Sequence, residues 1–300
     1  MKQDWNWRNY QIAWQVEGEY NEKSDIAIVL IHGFGACKDH WRYNQKKISL
    51  MAPCYAIDLV GFGESSKPDS QLLYEKKTSN NFNYCFDNWS QQVLDFCNEI
   101  VKKPVLLIGN SIGGVIALNT SEKLSEKCLG IVLIDCAQRT MDDKRLNEQS
   151  LLMRFLRPVI KTLVRQRFLS SNLFKNAANP AFIEKILKVA YPSGNNVNKE
   201  LIDILYEPTQ GKGAPEAFRG FINLFDDYLA PYLLKNLNHP VHLIWGEKDP
   251  WEPVQEAEEW FKNFECVKSL EVISNAGHCP HDEMPEKVNP VIEKIIQEAI

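Results

Sequence analysis

The chain has 300 residues, 44% apolar and 24% charged, the balance of a globular protein and not of a disordered one. Lysine and arginine number 34 against 39 aspartates and glutamates, a net charge of −5, which argues against general nucleic-acid binding. No apolar run nears the ~20 residues of a membrane span, and residues 1–10 resemble neither a secretion signal nor a transit peptide.

These features lead us to expect a cytoplasmic protein, with peripheral attachment to a membrane left open. The eight cysteines form no C-x-x-C pair and stand at no zinc spacing with histidine. They are expected as reduced, mostly apolar fillers, with no metal and no cofactor.

Residues 5–17 alternate aromatic and polar side chains, which predicts an antiparallel hairpin with one buried face. Continuous apolar strands are predicted at 26–31, 54–59, 104–108, 129–134, 241–245 and 270–273. Helical spacing marks 87–101, 113–124, 254–261 and 286–299, and a polar linker runs over 65–83. Apolar strands alternating with amphipathic helices give an α/β fold, a mostly parallel central sheet with helices on both faces.

The segment 138–238 interrupts this alternation. It shows helical patches at 151–164, 182–189 and 216–228 and no convincing strand. It is read as an inserted helical cap over the C-terminal sheet edge, leaving 1–137 and 239–300 as the core domain. Nine cations lie between Arg139 and Lys175, interleaved with apolar residues such as Leu152, Phe155, Val159 and Leu163. That pattern suits peripheral contact with an anionic membrane. The alternative is an apolar stripe packed on the core under a solvated charged face, with Pro158 breaking the helix.

Gly109-Asn110-Ser111-Ile112-Gly113 follows a strand and opens a helix. A strand turning this sharply into a helix needs small residues at 109 and 113, and it holds Ser111 exposed at the apex. A serine nucleophile needs a base, and the base needs an orienting acid. His278, just past the last strand, lies at the same sheet edge. His281 is its rival, although Pro280 and Asp282-Glu283 give it the look of a solvated turn. His239 sits at the wrong edge, and His242 reads as a packed core residue. Asp249 completes the chain order Ser, Asp, His, with Asp135 as the rival acid. His32-Gly33-Phe34-Gly35 can turn an amide into the site, so the Phe34 and Ile112 N–H groups would form an oxyanion hole. His32 reads as a structural hydrogen-bonder and Asp58 as a turn carboxylate.

With these motifs placed, the chain resembles the α/β-hydrolase superfamily over nearly its whole length. Within it, the chain resembles the chlorophyll dephytylase/pheophytinase-like group of plants and cyanobacteria. The residues carrying this are HGFGACKDHWRYN from His32, AIDLVGFGES from Ala56, NSIGGVIA from Asn110, WGEKDPWEP from Trp245 and GHCPHDEMPEKVNP from Gly277. The resemblance implies a small hydrophobic ester as substrate, specifically the phytyl ester of chlorophyll or a related pigment, and a thylakoid-type membrane nearby. It maps the nucleophile onto Ser111, the base onto His278 and the acid onto Asp249. The Asn-Ser-Ile-Gly-Gly elbow also resembles meta-cleavage-product C–C hydrolases, but Cys279-Pro280 follows the histidine where those carry a tryptophan. A general carboxylesterase is a further alternative. Ser111 excludes the chemistry of hydrolases that need an aspartate nucleophile, and the intact triad set argues against a non-catalytic binding module.

Overall fold

The structure, a computed structural model, describes residues 2–18, 24–72, 75 and 81–299. Strands β1 (Lys2–Trp7) and β2 (Tyr10–Glu17) pair antiparallel, and Trp5, Trp7, Ile12, Trp14 and Val16 are buried. Arg8 and Asn9 join them with φ of 51° and 68°. Positive φ at both turn positions matches the right-handed twist of the strands.

The apolar segments predicted as strands are β3 (Ala27–Ile31), β4 (Cys54–Ile57), β7 (Val105–Asn110), β8 (Cys128–Ile134), β9 (Val241–Gly246) and β10 (Val267–Ile273). The two-residue strands β5 (Asp69–Ser70) and β6 (Asn81–Phe82) pair within the predicted linker, whose residues 73–74 and 76–80 lie outside the described residues. The main sheet runs β1-β2-β4-β3-β7-β8-β9-β10 and is parallel from β4 onward. Strands covered on both faces need apolar side chains at successive positions, and β3, β4 and β7 are buried along their whole length.

One face is covered by α1 (Gln45–Ile48) and, near the C-terminus, α12 (Pro285–Ala299), around Trp41, Ile48, Met284 and Ile292. The other is covered by α2 (Phe86–Phe96), α3 (Ile112–Leu124) and α10 (Val254–Asn263), around Trp14, Trp89, Phe96 and Trp245. Between β8 and β9 lie α4 (Leu151–Arg165), α5 (Arg167–Ala177), α6 (Pro180–Ala190), α7 (Lys199–Tyr206), α8 (Ala214–Ile222) and α9 (Ala230–Leu234). The short α11 (Pro280–Glu283) follows β10. All eight cysteines are free thiols. No helix among the described residues is long and apolar enough to cross a membrane.

Several expectations need correction. The helix predicted at 216–228 is α8, which ends at Ile222, and α5, α7 and α9 had no counterpart in the periodicity. Pro158 does not break α4, which runs through it. The apolar stripe of α4 does not pack on the core. Arg157 is its one buried residue, while Leu151, Phe155 and Val159 face outward. Arg157 and Lys161 turn inward onto Asp143, at 2.8 and 2.7 Å.

The segment around His281 is not a solvated turn. His281, Asp282 and Glu283 are all buried. The carboxylates are matched by distant partners: Asp282 accepts from the Arg42 guanidinium at 2.7 and 3.0 Å, and Glu283 accepts from the Ser193 and Gly277 amides. His281 lies between the Trp41 and His40 rings, and burial, followed by the His40 and His278 charges, drives its pKa far down. His242 is half-buried in β9, with Nδ1 2.8 Å from Ser269 Oγ.

Candidate active site

Ser111 alone makes the turn from β7 into α3, at φ 55° and ψ −121°. That conformation is strained for a residue with a Cβ and persists only where its surroundings fix it. Here the Ser111 N–H donates to Ile134 O at 3.0 Å, and the Ala137 N–H donates to Ser111 O at 3.1 Å. The flanking glycines are a steric requirement. A Cβ on Gly109 would stand 2.2 Å from Gly113 O, and one on Gly113 would stand 2.3 Å from Ile31 O.

His278 comes to the same edge in the loop after β10 and is held from two sides. Its N–H donates to Ala190 O, at the end of α6, at 2.9 Å. Its carbonyl accepts from Asn110 Nδ2 at 3.2 Å. Its Nδ1 lies 2.7 Å from Asp249 Oδ2, and Trp251 meets the ring edge-on at 4.9 Å. Asp249 Oδ1 accepts the Trp251 and Glu252 amides, at 2.8 and 3.1 Å. Burial acts to raise the Asp249 pKa, but the hydrogen bond and charge of His278, then Asp135 and the Trp251 amide, hold it below the usual value.

Asp135 stands behind Asp249. It is fully buried, with φ 43°, and its Oδ1 accepts the Gly246 amide at 2.9 Å. Its Oδ2 meets no hydrogen-bond donor. One oxygen from each of Asp135 and Asp249 and one His278 nitrogen lie within 4.8 Å of one another. Burial and then the charge of Asp249 push the Asp135 pKa well above the carboxylate range. Both causes favour the protonated form of Asp135 over the charged one. Among the described residues this trio is the one group of histidine, cysteine, aspartate or glutamate side chains close enough to share a cation.

A third carboxyl, Glu252, accepts the Gln138 amide at 2.8 Å. Burial, countered by His278, lifts its pKa to about 7. On the opposite side, His32 donates from Nδ1 to Gly33 O at 2.8 Å and accepts the Leu59 amide at Nε2, at 3.1 Å. Burial lowers its pKa, so the ring is neutral and braces the turn before Phe34. Among the described residues the Phe34 and Ile112 amides donate to no protein acceptor. Asp58 accepts the Lys38 and Glu64 amides at 2.6 and 2.8 Å, and a Cβ on Gly63 would lie 2.1 Å from its carboxyl, so it organises that turn.

Ser111 and His278 open onto a cavity of about 700 Å³. Its floor includes Phe34 and Ile112, and its walls are mostly apolar side chains from the intervening helices: Phe174, Phe182, Ile186, Leu187, Phe218 and Phe221. Phe34 stacks on Phe221 at 3.8 Å. Among the described residues the one lysine or arginine lining it is Arg139, bound to Asp142 Oδ2 and to the Leu224 and Tyr228 carbonyls. Sequence reasoning missed Asn110, Trp251 and Glu252. All three sit inside quoted segments, within three residues of Ser111 or Asp249, and adjacency was the only signal.

The alpha/beta hydrolase family model matches residues 28–291. The chain belongs to that family. It is 26% identical over 291 residues to the chloroplastic pheophytinase of Arabidopsis thaliana, with 88% of this chain spanning 59% of that protein. It is 24% identical to the uncharacterized hydrolase YugF of Bacillus subtilis, over 93% of this chain and 92% of the relative. Among solved structures, a bacterial membrane phospholipase A matches with TM-score 0.74 at 24% identity, over all of this chain and 86% of that one. The meta-cleavage product hydrolase of Pseudomonas fluorescens matches with TM-score 0.74 at 19% identity, over 99% and 98%. At these identities the solved structures speak for the fold alone.

Proposed function

We propose that the chain is a serine hydrolase of carboxylic esters that carry a long apolar group. In this reading Ser111 attacks the ester carbonyl while His278 accepts its proton. Asp249 fixes the tautomer of His278 and opposes the charge that forms on the ring. The amides of Phe34 and Ile112 receive the oxyanion. His278 then returns the proton to the departing alcohol, and water, activated by the same ring, releases the acid. Residues 138–238 act as the cap that supplies the apolar walls.

The observation that carries this reading is the apolar cavity onto which Ser111 and His278 open, beside amides with no acceptor. Its size suits a mid-sized organic ligand. The similarity to a pheophytinase favours the phytyl ester of a chlorophyll-type pigment as the substrate within this class. A C–C hydrolase is the second reading, prompted by the fold of the Pseudomonas neighbour. The cavity favours a neutral substrate, because its one cationic side chain is already committed to Asp142.

The test is to incubate the protein with chlorophyll, pheophytin and a p-nitrophenyl ester series, and to measure phytol and p-nitrophenol. Phytol release that disappears in Ser111→Ala supports the full reading. Cleavage of the p-nitrophenyl esters alone reduces it to a carboxylesterase. No cleavage of any ester, with no labelling by a fluorophosphonate, rejects it.

A further inference from the structure

Helix α4 is amphipathic and is mounted with its apolar face outward. A surface helix ordinarily buries its apolar stripe and leaves its charges in water. Here Phe155 is 81% exposed and Leu151 71%, whereas Arg157 is 4% exposed. Arg157 and Lys161 anchor the helix from below, bound to Asp143 and lying over the Phe225 ring. Helices α5 and α6 continue the pattern with exposed Phe168, Leu173, Phe182 and Ile186. Twelve of the eighteen exposed large apolar side chains of the described residues fall in the stretch 151–189. Such clustering marks a surface that meets something apolar.

We infer that this face docks on an anionic lipid surface and receives a membrane-held substrate. The second half of that statement rests on the ester-hydrolase reading above. Two further observations select lipid. Residues 149–190 carry eight cations and one carboxylate in a chain whose net charge is −5. Of these cations, Arg154, Lys175 and Lys185 are exposed and have no carboxylate partner among the described residues. Positive charge around an apolar face suits an anionic bilayer. It opposes a symmetric pairing of two copies through the same face, which would bring like charges together. The face also runs into the cavity, since Phe182 and Ile186 are both exposed and part of the cavity wall. An apolar chain leaving the bilayer there stays on apolar side chains as far as Ser111.

The test is flotation of the whole protein with phosphatidylcholine/phosphatidylglycerol vesicles and with phosphatidylcholine vesicles, alongside hydrolysis of p-nitrophenyl butyrate in solution. The variant combines Leu152→Gln, Phe155→Gln and Leu163→Gln, three exposed positions outside the cavity where glutamine preserves helix propensity. Wild type should float with the anionic vesicles, and less so in high salt as screening grows. The variant should partition roughly a hundredfold less while cleaving the soluble ester at the wild-type rate. Wild type left at the bottom of the gradient overturns the inference, as does a variant that floats like wild type. So does a dimer in sedimentation velocity that the variant abolishes, which would assign the face to a second copy. A protein that floats but cleaves no ester keeps the lipid surface and loses the hydrolase reading. One that cleaves the soluble ester without floating does the reverse.

Discussion

Replacing each of the two neighbouring carboxyls by its amide should have opposite consequences. Burial and the neighbouring Asp249 charge favour the protonated form of Asp135, and from that form Asp135→Asn leaves the charge of the pair unchanged. The Asn Oδ1 keeps the Gly246 amide now held at 2.9 Å, and the new N–H₂ takes the place of Oδ2, which has no hydrogen-bond partner in the folded chain. Activity should stay within about threefold of wild type, less than ~0.7 kcal/mol. Asp249→Asn removes the charge that faces His278 Nδ1 at 2.7 Å and favours the wrong tautomer. The expected loss is about 10³–10⁴-fold, or roughly 4–5.5 kcal/mol of transition-state stabilisation. The assay is kcat/KM for p-nitrophenyl butyrate at pH 7.5, with urea denaturation at pH 4 and pH 8 as a second readout. The folded pKa of Asp135 is raised, so the unfolded chain releases that proton first as pH climbs. Wild type therefore loses stability above about pH 4 on account of this group, and Asp135→Asn removes the loss, gaining stability at pH 8 but not at pH 4. An Asp135→Asn variant as inactive as Asp249→Asn would refute the neutral-Asp135 argument and require an ionised carboxylate at both positions.

Ser111→Ala should remove ester hydrolysis by about 10³-fold or more while leaving the circular dichroism spectrum unchanged, and retention of a tenth of the activity would exclude Ser111 as the nucleophile. Glu252→Gln keeps the acceptor for the Gln138 amide and removes a carboxyl raised from its usual 4.5 to about 7. Its contribution is absent below about pH 4 and grows unfavourable as pH rises toward 7, so urea denaturation should show the variant more stable by up to about 3 kcal/mol at pH 8 and equal at pH 4. Gly109→Ala drives a Cβ to 2.2 Å from Gly113 O, where backbone must move. It should cost more than about 3 kcal/mol in thermal or urea unfolding, or abolish soluble expression.

The strands and the site loops were legible because their signals are local. Six continuous apolar runs between helical segments can bury both faces only as a covered parallel sheet, and Gly109 and Gly113 are dictated by the turn they flank. The orientation of α4 was not legible, because periodicity defines a stripe without saying which side meets the protein. That was decided by Asp143 and Phe225, which capture Arg157 and Lys161 from outside the helix. The buried state of His281-Asp282-Glu283 was hidden for the same reason, since Arg42 and Ser193 lie far off in sequence. The two candidate acids were both visible at strand ends. Only three-dimensional placement puts Asp249 on the His278 ring and Asp135 behind it.

The bond from the His278 amide to Ala190 O has a consequence for remodelling this chain. The end of α6 and the imidazole loop share a fastening, and Tyr191 adds a second one through His40 and Asp282, at 2.8 and 3.0 Å. The helices between β8 and β9 are thus not interchangeable as a block. A graft that replaces 138–238 with the corresponding segment of another family member must present a carbonyl where Ala190 presents one, and a hydroxyl where Tyr191 does. Without them the loop bearing His278 keeps its bonds to Asn110 and Asp249 but loses its hold from above. Swaps confined to α4 and α5 leave both fastenings in place, and of these two helices only α5 reaches the cavity, through Phe174 and Ala177.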